Sequence, residues 1–248
     1  MSLCLVIPSY RDSARLAKYL PELCASLESV PGVSILVVDD GSGPEEAEKT
    51  RLEVSRLRAK HPILLAPLLL EPNRGKGGAI YAGWDAAPPI EWLAFADADG
   101  ATPAGEVARL VRLALEDTAP SDVYLASRVK MLGRTVSRSF KRHVAGRVFA
   151  TLSSWMTGLA IYDSQCGCKI VRRSYYERVR DLLVETRFAF DIELLTHLHG
   201  AGAAMREVPV DWCDIPGSKV SLLKDGMQML SALWKLQARK PLERRFEK

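Results

Sequence analysis

Short apolar runs, each stopping at a polar turn and separated from the next by a helix-length segment, leave this chain few architectures. Leu3–Ile7 stops at Pro8 and the cluster Ser9–Asp12, and Val33–Val38 stops at Asp39-Asp40-Gly41-Ser42-Gly43. Ile63–Leu70 precedes Asn73-Arg74-Gly75-Lys76-Gly77-Gly78, Trp92–Ala96 runs into Asp97-Ala98-Asp99-Gly100, and Asp122–Ala126 is a fifth run. Between them, Leu16, Leu20, Leu23 and Leu27 recur at helical spacing over Ser13–Ser29. Charged residues fill Pro44–Lys60, a helix to about Ala86 follows the glycine-rich turn, and Pro103–Glu116 is the fourth helical segment. Apolar runs without polar alternation are strands covered on both faces, and their alternation with helices predicts βαβ units. The expected class is therefore α/β, a mostly parallel sheet with flanking helices. In such sheets ligands collect at the carboxyl ends of the strands, which is where the polar clusters fall.

Past residue 127 the pattern changes. Arg138–Leu159 predicts one or two helices with an apolar stripe at Val144, Val148, Leu152, Trp155 or Met156, and Leu159. Asp163–Arg173 reads as a compact segment containing Gly and Cys, Phe190–His199 as a helix, and Ala203–Trp212 as a strand. Ser221–Gln237 is a broad amphipathic helix with Leu223, Met227, Leu230 and Trp234 on one stripe. The expected organisation is an α/β half at 1–127, a second half of the same domain at 128–220, and an amphipathic helix with a basic tail at 221–248.

Charge is distributed unevenly. The net value is +4 over 248 residues, yet Val123–Tyr162 contains no Asp or Glu and seven basic residues: Arg128, Lys130, Arg134, Arg138, Lys141, Arg142 and Arg147. The last fourteen residues add a balance of +4, so the rest of the chain is acidic. Two basic zones on an acidic body point to an anionic ligand handled locally. The five cysteines fit neither a disulfide framework nor a zinc pattern, which predicts a reduced, cytoplasmic chain. No signal peptide is expected, and no apolar run reaches the roughly 18–20 residues of a membrane span. His61, His143, His197 and His199 make no metal pattern, and no RNA-recognition or zinc-finger motif is present, so no nucleic acid partner is expected.

The residues in the clusters carry chemistry. Asp97 and Asp99, at i and i+2 after a buried strand, can share Mg²⁺, which keeps few protein ligands and completes its shell with phosphate oxygens. A diphosphate leaving group needs that charge compensation. A carboxylate of Asp39-Asp40 can accept hydrogen bonds from a nucleobase or ribose, and Pro8-x-Tyr10 offers a turn and a ring for a base. Glycines 75, 77 and 78 allow close backbone approach, and Lys76 can reach a phosphate, although the spacing is not that of a Walker motif. For an acceptor phosphate, already a dianion near pH 7 because its second pKa is about 6, charge neutralisation is required rather than a strong base. Arg128, Arg138 and Arg142 would supply it. A hydroxyl acceptor would need a carboxylate base instead, with Asp163 or Asp191 as the candidates. A basic helix followed by an apolar stripe with Trp155 is either packed on the core or rests on an anionic membrane surface.

Four motifs, Val6-Ile-Pro-Ser-Tyr10, Val37-Val-Asp-Asp-Gly-Ser42, Asn73-Arg-Gly-Lys-Gly-Gly78 and Phe95-Ala-Asp-Ala-Asp-Gly-Ala-Thr102, resemble the nucleotide-sugar half of family 2 GT-A glycosyltransferases. Asp163-Ser-Gln-Cys-Gly-Cys-Lys169, Phe188-Ala-Phe-Asp-Ile-Glu193 and Ile215-Pro-Gly-Ser-Lys-Val-Ser221 resemble dolichyl-phosphate β-glucosyltransferases, relatives of the dolichyl-phosphate mannose synthases. The resemblance runs from about residue 3 to 225. It implies a GT-A, Rossmann-like fold in which 1–127 is the nucleotide-sugar-binding half and 128–220 the acceptor-side half, with a helical extension on the acceptor side. It also implies inverting transfer of a sugar, glucose from UDP-glucose, to a polyprenyl-type lipid phosphate. Pro8, Tyr10 and Asp40 would hold the nucleoside, with Asp12 and Lys76 also on the donor side. Asp97 and Asp99 would hold Mg²⁺ or Mn²⁺ and the diphosphate, and Arg128 would bind the acceptor phosphate. Gln165 and Lys169 would border sugar and acceptor, Asp191 and Glu193 would sit near the sugar, and Lys219 would close over phosphates. Arg11-Asp12 stands where the family shows Asn-Glu, and Cys168 where it shows an aromatic. Peripheral contact with the cytoplasmic membrane face would follow from a lipid acceptor. Two alternatives remain at this point: a family 2 enzyme with a non-lipid acceptor or a GDP-mannose donor, and a non-catalytic nucleotide-sugar-binding protein.

Overall fold

The structure, a computed structural model, describes residues 1–118, 120–137, 140–215 and 224–243. In chain order the strands are β1 (Leu3–Ser9), β2 (Val33–Asp39), β3 (Leu68–Leu69), β4 (Trp92–Ala96), β5 (Val123–Ser127), β6 (Val136–Ser137), β7 (Cys168–Arg172), β8 (Met205–Pro209) and β9 (Trp212–Cys213). The helices are α1 (Ser13–Leu27), α2 (Pro44–Arg58), α3 (Gly75–Ala86), α4 (Ala104–Glu116), α5 (Phe140–Thr157), α6 (Arg173–Val179), α7 (Phe190–Gly200) and α8 (Lys224–Glu243).

Seven strands form one sheet in the order β3-β2-β1-β4-β7-β5-β8, and β6 and β9 pair separately. Every pairing in the large sheet is parallel except those of β7, which runs antiparallel to both β4 and β5. Successive residues of β1 alternate between two cores. Leu3, Leu5 and Ile7 pack with α1 and α4, while Cys4 and Val6 pack with Trp84 of α3 and Leu194 of α7. Trp92 and Ala94 of β4 join the first core, and Leu93 and Phe95 join the second. Helices on both faces leave no solvent side, which is why these strands read as unbroken apolar runs.

Three expectations are corrected. The third run is a strand only at Leu68–Leu69, with an isolated bridge from Leu64 to Ile35. Pro62 and Pro67 flank and split the run, and proline has no N–H for a ladder. The compact segment Asp163–Arg173 contains an unanticipated strand: its second half is β7, in the middle of the sheet. Ala203–Trp212 divides into β8 and β9, which belong to different sheets.

A third core joins α5, α7 and α8. Met156, Ile192, Leu233 and Leu236 are buried there, with Phe149 and Leu152 packed against them. The buried seam of α8 is therefore Leu233 and Leu236, not the stripe of Leu230 and Trp234, because that pair faces away from the groove. Leu223, Val144, Val148 and Met227 lie outside the described side chains. Trp155 and Trp234 are left 80% and 69% exposed on the outside of α5 and α8.

Because β1, β2, β4 and β5 are parallel, their carboxyl ends share one edge of the sheet. The reversed direction of β7 brings its amino end, and with it Gln165–Cys168, to the same edge.

Candidate active site

Asp97 follows β4 directly. Its N–H donates to the Gly167 carbonyl at 2.9 Å, so the strand ladder continues one step into the site. Its carboxylate lies over Gly167 so closely that a Cβ there would meet Oδ2 at 2.0 Å. Lys76, in the first turn of α3, places Nζ 2.6 Å from Asp97 Oδ1. Asp99 accepts the Ala101 N–H at 3.0 Å. Burial raises the Asp99 pKa, and the neighbouring Asp97 charge raises it further. Two crowded carboxylates, hard oxygen donors both, form a site that a divalent cation relieves, provided substrate oxygens and water complete its shell. Among the described residues no group of three or more His, Cys, Asp or Glu side chains makes a metal cage.

Asp40 is buried and fully engaged. Oδ1 accepts the Arg74 N–H at 2.7 Å, and Oδ2 accepts the Gly75 N–H at 2.9 Å and Asn73 Nδ2 at 2.8 Å. Burial raises its pKa against those donors. The carboxylate thus braces the loop that carries Lys76. The glycines of that loop make room for protein: a Cβ at Gly77 would meet Phe190 Cβ at 2.5 Å, and Gly78 donates its N–H to the Thr186 carbonyl at 3.0 Å. Close backbone approach is real here, but the partner is the segment leading into α7.

At the first two strand ends, Tyr10 is half-exposed and the Arg11 guanidinium lies 5.2 Å from its ring centre. Arg11 adopts φ 47° and donates its N–H to Ser42 Oγ at 2.7 Å. Pro8 sits within β1 opposite Val38. Asp12 is drawn to α1, where it pairs with Arg15 Nε at 2.7 Å and its carbonyl accepts the Arg15 and Leu16 N–H groups. Sequence reasoning named Asp39 beside Asp40, and Ser9 in the first polar cluster, but did not bring the two together. Ser9 Oγ and Asp39 Oδ2, on residues facing each other across β1 and β2, are buried without a hydrogen-bond partner. The signal was the first aspartate of Asp39-Asp40.

On the other side, Arg128 follows β5. Its Nε and Nη2 grip Asp163 at 2.6 and 2.7 Å, and its N–H reaches the same carboxylate at 2.9 Å. Burial opposes the Arg128 charge, but the Asp163 carboxylate outweighs it and raises the pKa. Glu207, which sequence reasoning did not single out, accepts the N–H groups of Tyr162 and Asp163 and the hydroxyl of Ser127, fixing Asp163 in place.

Lys169 is completely buried on β7. Nζ donates to the Cys166 carbonyl at 2.8 Å and to Asp191 Oδ1 at 2.5 Å, and it lies 5.2 Å from the Phe95 ring centre. Burial raises the Asp191 pKa, although Lys169 and Lys76 both oppose the shift. Gln165 donates to the Phe188 carbonyl at 3.4 Å. Glu193 turns to its own loop and accepts the Val184 and Glu185 N–H groups. Arg138, Lys219 and the side chain of Arg142 lie outside the described residues.

The structure therefore brings Asp97, Asp99, Lys76, Asp191 and Lys169 to one edge of the sheet, with Arg128 after β5 and its partner Asp163 ahead of β7. A family model, Glycosyl transferase family 2, matches residues 4–180. Dolichyl-phosphate beta-glucosyltransferase of Drosophila melanogaster is 32% identical over 240 residues, covering 92% of this chain and 72% of that protein. Among solved structures, mannosyltransferase PcManGT from Pyrobaculum calidifontis, in complex with GDP-Man and Mn²⁺, superposes with TM-score 0.59 at 19% identity. The match covers 88% of this chain and 58% of that one. Glucosyl-3-phosphoglycerate synthase from Mycobacterium tuberculosis, in complex with Mn²⁺, UDP and glucosyl-3-phosphoglycerate, gives TM-score 0.66 at 13% identity, over 96% and 80% of the two chains. The two structures show a shared GT-A fold, and the family match over most of the chain places this protein in glycosyl transferase family 2.

Proposed function

We propose that the chain transfers glucose from UDP-glucose, with inversion, to a polyprenyl or dolichyl-type lipid phosphate. The observation that carries this reading is the state of the two candidate bases. Asp163 is held bidentately by Arg128, and Asp191 is held by buried Lys169. The Arg128 charge stabilises ionised Asp163 and makes it a poor proton acceptor, and the Oδ1 of Asp191, whose pKa burial raises, is occupied by the Lys169 ammonium rather than open to a substrate hydroxyl. The site therefore suits a nucleophile that arrives already charged, and a phosphate monoester is one. The Drosophila relative, named for transfer to dolichyl phosphate, supports the same acceptor class.

In this reading Asp97 and Asp99 hold Mg²⁺ or Mn²⁺. The cation, when bound, neutralises charge on the leaving diphosphate. Lys76 adds a positive charge at the same place, and Asp40 acts by holding the Lys76 loop. Pro8 and Tyr10 border the nucleoside. Asp191 and Lys169, with Gln165, form the floor beneath the sugar. Arg128, whose charge is balanced by Asp163, offers its remaining N–H donors to the acceptor phosphate, Arg138 and Arg142 of the acid-free zone supply the net positive charge, and Lys219 is assigned to the phosphates.

Among the described residues no helix is long and apolar enough to cross a membrane. The exposed Trp155 and Trp234, on neighbouring helices beside the basic 128–147 zone, suit an anionic bilayer surface, where indole rings sit at the headgroup level. The test is nucleoside diphosphate release from UDP-glucose or GDP-mannose with Mn²⁺, with and without a short polyprenyl phosphate. Release that requires both UDP-glucose and the lipid phosphate is expected. Equal release without the lipid phosphate overturns the acceptor, and a preference for GDP-mannose overturns the donor.

A further inference from the structure

Lys76 and Asp97 meet through backbones that cannot easily withdraw. The start of α3 is pinned by Asp40 at Gly75, by Phe190 against Gly77 and by the Thr186 carbonyl at Gly78. Asp97 is pinned by its N–H on the Gly167 carbonyl and by contact of its carboxylate with Gly167. The ammonium between them lies 5.5 Å from the Phe95 ring centre and 5.9 Å from that of Phe190, so two aromatic walls shield it. The Asp97 carboxylate 2.6 Å away favours the charged ammonium. The 2.6 Å contact occupies a lone pair of Asp97 that a divalent cation would also use. An ammonium and a divalent cation on one carboxylate repel each other in a partly desolvated site.

We propose that Lys76 is a resident cation that closes the Asp97/Asp99 pair to free divalent metal until a diphosphate arrives to accept the lysine, so that metal and donor bind cooperatively. The inference rests on the reading of Asp97 and Asp99 as metal ligands. A diphosphate supplies both requirements at once: oxygens for the metal and an alternative acceptor for the ammonium. Coupling of this kind is reciprocal, so metal raises nucleotide affinity by the factor by which nucleotide raises metal affinity.

The test is Mn²⁺ binding to the full chain, followed by the electron paramagnetic resonance signal of free Mn²⁺, with and without UDP. Association of Mn²⁺ with UDP alone is measured and subtracted. For the unmodified protein, UDP is expected to tighten Mn²⁺ binding by about tenfold or more, within the usual range of coupling. Lys76→Met is expected to bind Mn²⁺ about tenfold more tightly without UDP and to show a correspondingly smaller UDP effect. Lys76→Arg should behave like the unmodified protein. Lys76→Gln carries the same expectation as Lys76→Met, should circular dichroism show the latter unfolded. Equal Mn²⁺ affinity with and without UDP in the unmodified protein overturns the proposal, as does unchanged UDP-free affinity in both neutral variants. Asp97→Asn separates the two levels: if it binds Mn²⁺ as well as the unmodified protein, the metal assignment itself is wrong.

Discussion

Gly167→Ala isolates the geometry of the site from the stability of the fold. The new Cβ would stand 2.0 Å from Asp97 Oδ2 and 2.4 Å from its Cγ. To reach an ordinary contact of 3.4 Å the oxygen must retreat by about 1.4 Å. That movement breaks the 2.6 Å contact with Lys76 and shifts a carboxylate assigned to the metal. A misplacement of about 1 Å near reacting groups costs about 10²-fold in rate, so kcat should fall about 10²-fold, or about 2.7 kcal/mol. The atom that yields is the end of a short side chain, and the backbone at Gly167 is not in the left-handed region. The thermal midpoint should therefore move by no more than a few degrees. Gly105→Ala in the first turn of α4 is the control, because nothing lies within 4 Å of its added Cβ. It should keep full activity and gain up to about 1 kcal/mol of stability. Lipid-phosphate-dependent UDP release, with a melting curve for each variant, makes the comparison. A Gly167→Ala protein with normal kcat would refute the argument that Asp97 must sit where the glycine lets it.

Lys169→Met and Asp191→Asn should each cost about 3–5 kcal/mol, since each leaves a buried charge alone. Lys169→Met/Asp191→Asn should cost clearly less than their sum, and urea unfolding of the three variants gives the coupling. Asp40→Ala removes the acceptor for three donors in the Lys76 loop and should cost about 3 kcal/mol and weaken UDP binding. Asp40→Asn, which keeps one oxygen, should lose less in both titrations. Iodoacetamide at pH 8 should label Cys213 first, because it is exposed, whereas burial pushes Cys4 and Cys24 up to about 11 and Cys166 to about 12. For Cys4 and Cys24 the unfolded chain ionises near 9.0, before the folded one. Their contribution to stability is therefore complete below pH 9.0 and lost as pH rises through about 11. Urea midpoints that stay level from pH 8 to 11 would contradict that burial.

What the sequence made legible was whatever depends on neighbours along the chain. β1, β2, β4 and β5, with the helices between them, follow from apolar runs and helical spacing, and the polar clusters fall at strand ends because turns and ligand sites share them. The failures have a common cause in contacts that are distant in sequence. β7 hides because Lys169 puts a charge in the middle of an apolar run. Only Asp191, 22 residues on, makes that charge tolerable in a sheet centre. An antiparallel strand between parallel ones also leaves no βαβ signature. In the site, Asp97-x-Asp99 was readable as a pair, but that Lys76 would face it depends on how α3 packs against Phe190. That Arg128 would spend two donors on Asp163, with Glu207 behind, involves partners 35 and 44 residues apart.

The position of β7 also sets a timetable for synthesis. β4 ends at residue 96, and the strand that covers its open side ends at residue 172. At about 5–20 residues per second, a ribosome takes roughly 4–15 s to make the 76 residues between them. During that interval Trp92-Leu-Ala-Phe-Ala96 has β1 on one side and an unpaired apolar edge on the other. Such an edge pairs with whatever strand reaches it first. Until β7 emerges, the nascent chain is prone to mispairing at this edge. A 1–127 fragment, which contains β1 to β5 but lacks the antiparallel β7 that lies between β4 and β5, is expected to aggregate rather than bind nucleotide.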